Sequence, residues 1–355
     1  KMRRTQDLPD KESATMFFQD CKLAHQAQIT GISHSVKEIL PPDLLDLTQL
    51  QKEANIRYGF TASEVYDIAQ SLYEKKLISY PRTSSRYLTE DVFDSLPPIM
   101  ACLLSWELFP AAKGTGGIDI SNLSRHVISA EKANVHHAII ITGIRPGNLS
   151  EKEMQVYRLV AGRMLETFMA PCRIETTNVE AVCAAQHFKA EQTRIIEAGW
   201  HDVFMRYDMI PTSGYSVKEL PEVEKGDTLN VCGCNMVHKK ELPVDPFTDA
   251  ELVEYMELNG LGTVSSRTNI IRTLVNRKYI RYSGKYIVPT PKGMFTYETI
   301  RGKKIADTSL TADWEKQLAG LESGMITGQD FLNRIRTLAK EMTDDIFNTY
   351  STKEE

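Results

Sequence analysis

Over residues 173–242 the apolar residues stop recurring at helical spacing, and that change limits what the chain can fold into. The runs 176–181, 188–195 and 228–231 are short, β-branched and separated by Pro and Gly, while the flanking regions keep the helical period. An antiparallel β domain set among helical domains is the expectation, a multidomain α+β chain. With 355 residues, 42% apolar and 25% charged, the chain can bury several cores.

Helix starts are legible from their caps. Thr48-Gln49-Leu50-Gln51, with Thr48 as N-cap, opens a helix that Gly59 closes. Thr61-Ala62-Ser63-Glu64 opens a second and Thr248-Asp249-Ala250-Glu251 another, while Ser150-Glu151-Lys152-Glu153 starts one running towards Pro171. A polar helix and a strand over 28–32 precede the break at Pro41-Pro42, and 92–170 reads as mostly helical. Near the C-terminus a helix over 265–278 leads into a hairpin across Ser283-Gly284. Its buried stripe is expected at Ile270, Ile271, Leu274 and Val275, with Asn269, Arg272, Thr273 and Asn276 outside. Helix, helix, basic hairpin is the sequence shape of a winged helix. From 265 to 304 there are ten lysines and arginines and a single acid, Glu298, in a chain of net charge −5. The overall charge argues against nonspecific coating of DNA; the local charge points to phosphate.

No apolar stretch is long enough for a membrane span, and none has the shape of a signal peptide. The cysteines are scattered, and Cys232-Gly-Cys234 without further ligands makes a poor zinc site. Reduced thiols in a cytoplasmic protein are expected.

The chemistry gathers at Ser79-Tyr80-Pro81-Arg82-Thr83-Ser84-Ser85-Arg86-Tyr87. Pro81 fixes its own φ and keeps Tyr80 out of the helical region, so the tyrosine sits on a stiff extended segment. There Tyr80 and Arg82 project the same way. A phenol beside a permanent guanidinium suits attack on a phosphodiester. Adjacent His136 and His137 do not suit a metal pair on one strand, which needs alternate positions. One of them can still bond a phosphate oxygen or donate a proton to a leaving sugar oxygen. Arg267 falls on the apolar side of its helix, beside Gly260-Leu261-Gly262-Thr263. It either snorkels or points into an anion site at the helix N-terminus.

Taken in order, 76–88, the histidine segment from Asn134 to Thr142, Glu197-Ala198-Gly199-Trp200, the run from Gly260 to Ile271 and Thr311-Ala312-Asp313-Trp314-Glu315 resemble the type IA DNA topoisomerases, closest to the bacterial topoisomerase III branch. The resemblance implies the toroid domains of that family: winged-helix-like helical domains joined by an antiparallel β arch. Residues 1–22 would join the basic helical domain, 23–41 with 171–244 the arch, 42–170 the active-site domain, and 245–355 the winged-helix DNA-binding domain. Tyr80 would break one strand as a 5′-phosphotyrosine, Arg82 grip the scissile phosphate, and His136 contact it. His137, Thr83, Ser84, Arg86, Thr263, Ser266, Arg267 and Arg272 would touch DNA, chiefly single-stranded. Strand passage and religation need no ATP.

The family's Mg²⁺ is held by a Toprim domain, and no Asp-x-Asp cluster precedes Tyr80 here. Ser84 stands where an acid is common, Ile141 where Pro is usual and Ser265 where Ala is usual, and a chain without the zinc-ribbon tail of the topoisomerase I branch is expected. The expectation is a monomeric piece without the Toprim domain and without metal ligands of its own, in the bacterial cytoplasm at the nucleoid, binding DNA but cleaving poorly alone. The competing reading is a single-stranded DNA-binding module without chemistry. A tyrosine recombinase lacks its His-x-x-Arg constellation.

Overall fold

The computed structural model describes every residue except 107, 110–117, 134–135, 205–216, 218, 238–244 and 352–355. Asn134 and Val135 of the histidine segment, and His238, therefore lie outside the described residues. The chain divides into two compact units. One comprises Lys1–Pro42, Met100–Ser124 and Gly162–Pro243, the other Asp43–Ile99, Arg125–Ala161 and Val244–Glu355.

The first unit holds the sheet. Strands β1 (Arg3–Arg4), β2 (Gln26–Ile39), β3 (Cys172–Cys183), β4 (Gln186–Glu197) and β5 (Thr228–Asn230) lie in the order β1-β4-β3-β2-β5, all neighbours antiparallel. The strand expected over 28–32 extends to Ile39, since β3 pairs with it as far as Ile39↔Cys172. Ile29, Val179 and Ala181 are buried on one face, with Ile32, Val223 and Leu229 packed against them. Arg3 and Arg4 pair with Lys189 and Phe188, so the chain start lies with the sheet. Helix α1 (Lys11–Leu23) is polar, capped by Asp10, and buries Cys21.

The second unit is mainly helical: α2 (Leu47–Tyr58), α3 (Ala62–Glu74), α4 (Glu90–Asp94), α6 (Ala130–Ala133), α8 (Asp249–Leu258), α9 (Arg267–Asn276), α10 (Pro291–Ile300), α11 (Thr308–Glu322) and α12 (Gly328–Ser351). Helices α5 (Leu96–Ser105) and α7 (Glu151–Phe168) have residues in both units. A hairpin, β6 (Ile280–Ser283) and β7 (Tyr286–Pro289), follows α9. Ala62, Val253, Met256, Ile271 and Ile287 form one buried cluster, tying α3, α8, α9 and the hairpin together. Gln51 of α2 donates its amide to the Ala62 carbonyl and to Thr268 Oγ1, both at 2.9 Å, so α2, α3 and α9 share one buried polar bridge.

The capping boxes at Thr61 and Thr248 form as expected, and Gly59 closes α2 in the left-handed region at φ 70°. Three expectations need correction. The N-cap of α2 is Asp46, whose Oδ1 accepts from the Gln49 N–H at 2.7 Å; Thr48 is buried inside the first turn. A carboxylate is the stronger acceptor for orphan N–H groups and suits the positive helix end. In α9 the buried residues are Arg267, Thr268 and Ile271, whereas Ile270 is 39% exposed. The helix is turned because Arg267 reaches inward to α8 and Thr268 sits under the Gln51 amide. Residues 136–149 are not helical, because much of the backbone over 138–142 pairs with neighbouring segments instead.

Candidate active site

Lys76, in a left-handed conformation at φ 59°, turns the chain out of α3 into an extended segment running to Leu88. This segment has few regular strand bonds, yet its backbone is pinned repeatedly. The Ser79 N–H donates to the Ile140 carbonyl at 2.8 Å, and the Ala138 N–H to the Tyr87 carbonyl at 2.9 Å. Isolated bridges join Ile78 to Ile141 and Leu45 to Ile139. Ser79 Oγ donates to the Ala138 carbonyl at 3.0 Å and accepts from the Ile140 N–H at 2.9 Å. The histidine segment and the tyrosine segment are thus one scaffold, which holds their side chains to a fixed separation.

Tyr80 is half-buried. Its ring lies 4.5 Å from the His136 ring, tilted 46°, and meets Tyr73 edge-on at 5.4 Å. His136 is exposed, and His137 Nδ1 sits 2.7 Å from the Ala138 carbonyl. Arg82 donates through Nη2 to Gln70 Oε1 at 3.1 Å and stacks its guanidinium 5.1 Å from the Tyr66 ring centroid. Its Nε is buried and has no hydrogen-bond partner among the described residues. Tyr80 and His136 are therefore brought together, and Arg82, on the same extended segment, is held against α3.

The other hydroxyls and cations of the segment divide. Thr83 is buried, donating to the His136 carbonyl at 2.9 Å and accepting from the Ser85 N–H at 3.0 Å; Ser84 is exposed. Arg86 Nε bonds Asp46 Oδ2 at 2.6 Å, so one carboxylate both caps α2 and holds the arginine. Burial works against the Arg86 charge, but the charge and hydrogen bond of Asp46, with Glu257 and Asp43 behind it, outweigh it and raise the pKa. Asp46 is thereby engaged, and among the described residues the groups recorded against Tyr80 are the rings of His136 and Tyr73. That donor set does not fit a divalent cation, which wants several free carboxylate or carbonyl oxygens.

The α9 end supplies a second cluster. Thr263 Oγ1 lies 3.1 Å from Ser265 Oγ, and the Thr263 N–H donates to Ser266 Oγ at 2.8 Å. Arg267 is 8% exposed; its Nη1 is 3.4 Å from Glu257 Oε1, and its Nε is buried without a partner among the described residues. Gly262 has φ 70°, and a Cβ there would stand 2.8 Å from Ser266 Oγ, so only glycine makes this turn without strain. Arg272 is engaged by Asp67 at 2.7 Å and Ser63 at 2.8 Å.

Sequence reasoning missed Tyr66, Gln70, Tyr73, Asp46 and Glu257. The first three stand at i, i+4 and i+7 on α3, a helical stripe visible in the sequence once the neighbour of that face is known. Glu257 gave no local signal, since its partner Arg267 lies 10 residues away; Asp46 has a local capping partner in Gln49 but was passed over for Thr48, and its second partner, Arg86, lies 40 residues on.

Residues 1–333 match the model of the DNA topoisomerase family. DNA topoisomerase 3 of Bacillus licheniformis is 31% identical over 344 residues, covering 90% of this chain and 47% of that protein. DNA topoisomerase 3 of Bacillus subtilis is 30% identical over 355 residues, covering 92% and 48%. The structure of full-length topoisomerase I from Thermotoga maritima superposes with a TM-score of 0.72 at 22% identity, over 96% of this chain and 56% of that one. That likeness concerns the fold. The chain belongs to the type IA DNA topoisomerases, on the topoisomerase III branch. It spans about half the length of the curated relatives it matches.

Proposed function

We propose that this chain carries the strand-breaking tyrosine and much of the DNA-holding surface of a topoisomerase that cuts one strand, passes another and reseals. The observation that carries this is the grouping of Tyr80, Arg82 and His136 on one pinned scaffold. Tyr80 Oη attacks the phosphorus and the phenol proton leaves. The bond to the 3′ oxygen breaks, and that oxygen takes up a proton, from a position His136 is near enough to serve. The products are a 5′-phosphotyrosine and a 3′-hydroxyl, which attacks back to reseal the strand. The phosphodiester energy stays in the covalent link, so no nucleotide is consumed.

Arg82, with an unpartnered Nε–H, suits the scissile phosphate; Arg86 and Ser84 extend the same edge, and His137 stands beside His136. α8, α9 and the β6–β7 hairpin read as a winged helix, in which Thr263, Ser266, Arg267 and Arg272 would meet a phosphate backbone by exchanging partners they now hold, Glu257 and Asp67 among them. In this reading 42–170 is the active-site domain, 23–41 with 171–244 the arch and 245–355 the DNA-binding domain. Any Mg²⁺ dependence would come from carboxylates outside this site. A monomer acting on single-stranded DNA in the bacterial cytoplasm, at the nucleoid, is the simplest setting. Its relatives are bacterial, and among the described residues no helix is long and apolar enough to cross a membrane.

Label polarity tests the chemistry. With the half of the Bacillus subtilis relative that this chain does not match supplied, an oligonucleotide labelled at its 3′ end should become protein-linked under denaturing conditions, and one labelled at its 5′ end should shorten without linking. Linkage of the 5′ label would overturn the reading.

A further inference from the structure

One stripe of α3 meets the active segment. Tyr66, Gln70 and Tyr73 lie at i, i+4 and i+7, the spacing that stacks side chains on one helix face. Tyr66 lies under the Arg82 guanidinium, Gln70 Oε1 accepts from Arg82 Nη2, and Tyr73 meets the Tyr80 ring edge-on. The Gln70 amide is itself held, since its Nε2 donates to Glu74 Oε1 at 2.8 Å. The carboxylate takes the NH₂ group and the guanidinium takes the carbonyl oxygen, so both partners agree on the orientation of the amide. Arg82 Nε remains buried without a partner among the described residues. A buried N–H with nothing to bond costs free energy until an acceptor arrives.

We propose that Tyr66 and Gln70 are positioning residues that preorganise Arg82 as a phosphate clamp, with its Nε–H held open for an oxygen of the bound strand. Arginine loses rotamer freedom when a ligand fixes it. A π face and a neutral acceptor remove that freedom before substrate binds. The neutrality of Gln70 matters: an amide oxygen orients the guanidinium without cancelling the charge meant for phosphate. Tyr66 needs only its ring, because the contact is to the ring face. With Tyr73 on the same stripe, α3 sets the clamp and the nucleophile by one rigid element. This rests on the reading that Arg82 grips phosphate.

The test is single-stranded oligonucleotide binding by fluorescence anisotropy over a salt series, with thermal melts to confirm folding. Arg82→Ala should weaken binding about tenfold, as for loss of one charge-assisted hydrogen bond, and lower the slope of log K against log salt by about 0.7. Tyr66→Leu should reproduce part of both effects, Tyr66→Phe should match wild type, and Gln70→Glu should weaken binding. In an Arg82→Ala background, Tyr66→Leu should add nothing. The inference is overturned if Tyr66→Leu and Gln70→Glu leave affinity and slope at wild-type values while Arg82→Ala shifts them. It is also overturned if Tyr66→Leu acts equally in both backgrounds, the mark of a general structural role. If Arg82→Ala changes neither quantity, the clamp reading fails first and the inference with it.

Discussion

The Tyr80 and His136 rings lie 4.5 Å apart at 46°, with the imidazole exposed and the phenol half-buried. Separation by 56 positions in sequence is bridged by hydrogen bonds from Ser79 and Tyr87 to 138–140. A group so placed can reach the phosphodiester that the phenol attacks. With the half of the Bacillus subtilis relative that this chain does not match added to the assay, His136→Ala should cut covalent adduct formation by about 10²-fold, the scale of a lost proton donor. Binding of single-stranded DNA should change far less. Undiminished adduct would remove His136 from the reaction.

Glu257 Oε1 lies 3.4 Å from Arg267 Nη1 and its charge also bears on Arg86, so under the proposed reading it competes with phosphate for Arg267. Neutralising it frees a buried cation for DNA. Glu257→Gln should tighten single-stranded DNA binding, by about threefold to tenfold at low salt, in line with one charged contact. The gain should vanish in an Arg267→Ala background. Weaker binding in Glu257→Gln would instead mean that the carboxylate is needed to hold Arg267 in place.

Asp46 joins the α2 N-terminus to Arg86 and is 2% exposed. Asp46→Ala removes a cap and strands a half-buried guanidinium, so unfolding free energy should fall by about 2–3 kcal/mol. Arg86 is partly solvated, which keeps the cost below that of a fully buried pair. The midpoint of a urea transition measures it, and a loss under about 0.5 kcal/mol, the range of ordinary surface changes, would contradict this role.

Much of this was legible beforehand, for physical reasons. Capping boxes at Thr61 and Thr248 are local, so they read correctly, and the period-2 runs around Val179 and Ala190 read as antiparallel strands. The Pro81 constraint on Tyr80 also needs no tertiary information. What escaped depends on distant neighbours. Asp46 rather than Thr48 caps α2, and the same carboxylate holds Arg86, 40 residues on. Ile270 is exposed because Arg267 and Thr268 answer to Glu257 and Gln51. The segment over 138–142 lies in a stretch read as mostly helical but makes isolated bridges, because each partner is a different segment.

Glu153 accepts from Lys75 Nζ, the Ser150 N–H and Ser71 Oγ, and these, Lys75 foremost, lower its pKa from 4.5 to about 2. A depressed carboxylate stabilises fully above its unfolded value and loses that contribution as pH falls through its folded value. The melting temperature of Glu153→Gln should therefore lie below wild type at pH 7. The gap should close between pH 4.5 and about 2. An equal gap at both ends of that window would show that the charge contributes nothing.

The central claim is that Tyr80 Oη is the nucleophile. Its most direct measurement is trapping of a 3′-labelled single-stranded oligonucleotide by wild type and by Tyr80→Phe, each supplied with the half of the relative that this chain does not match. Wild type should give a protease-sensitive covalent adduct. Tyr80→Phe should give none while binding the oligonucleotide within about threefold of wild type, since only a hydroxyl is lost. An adduct of undiminished yield in Tyr80→Phe would contradict the claim, and so would none from either protein, which would leave a DNA-binding module without chemistry.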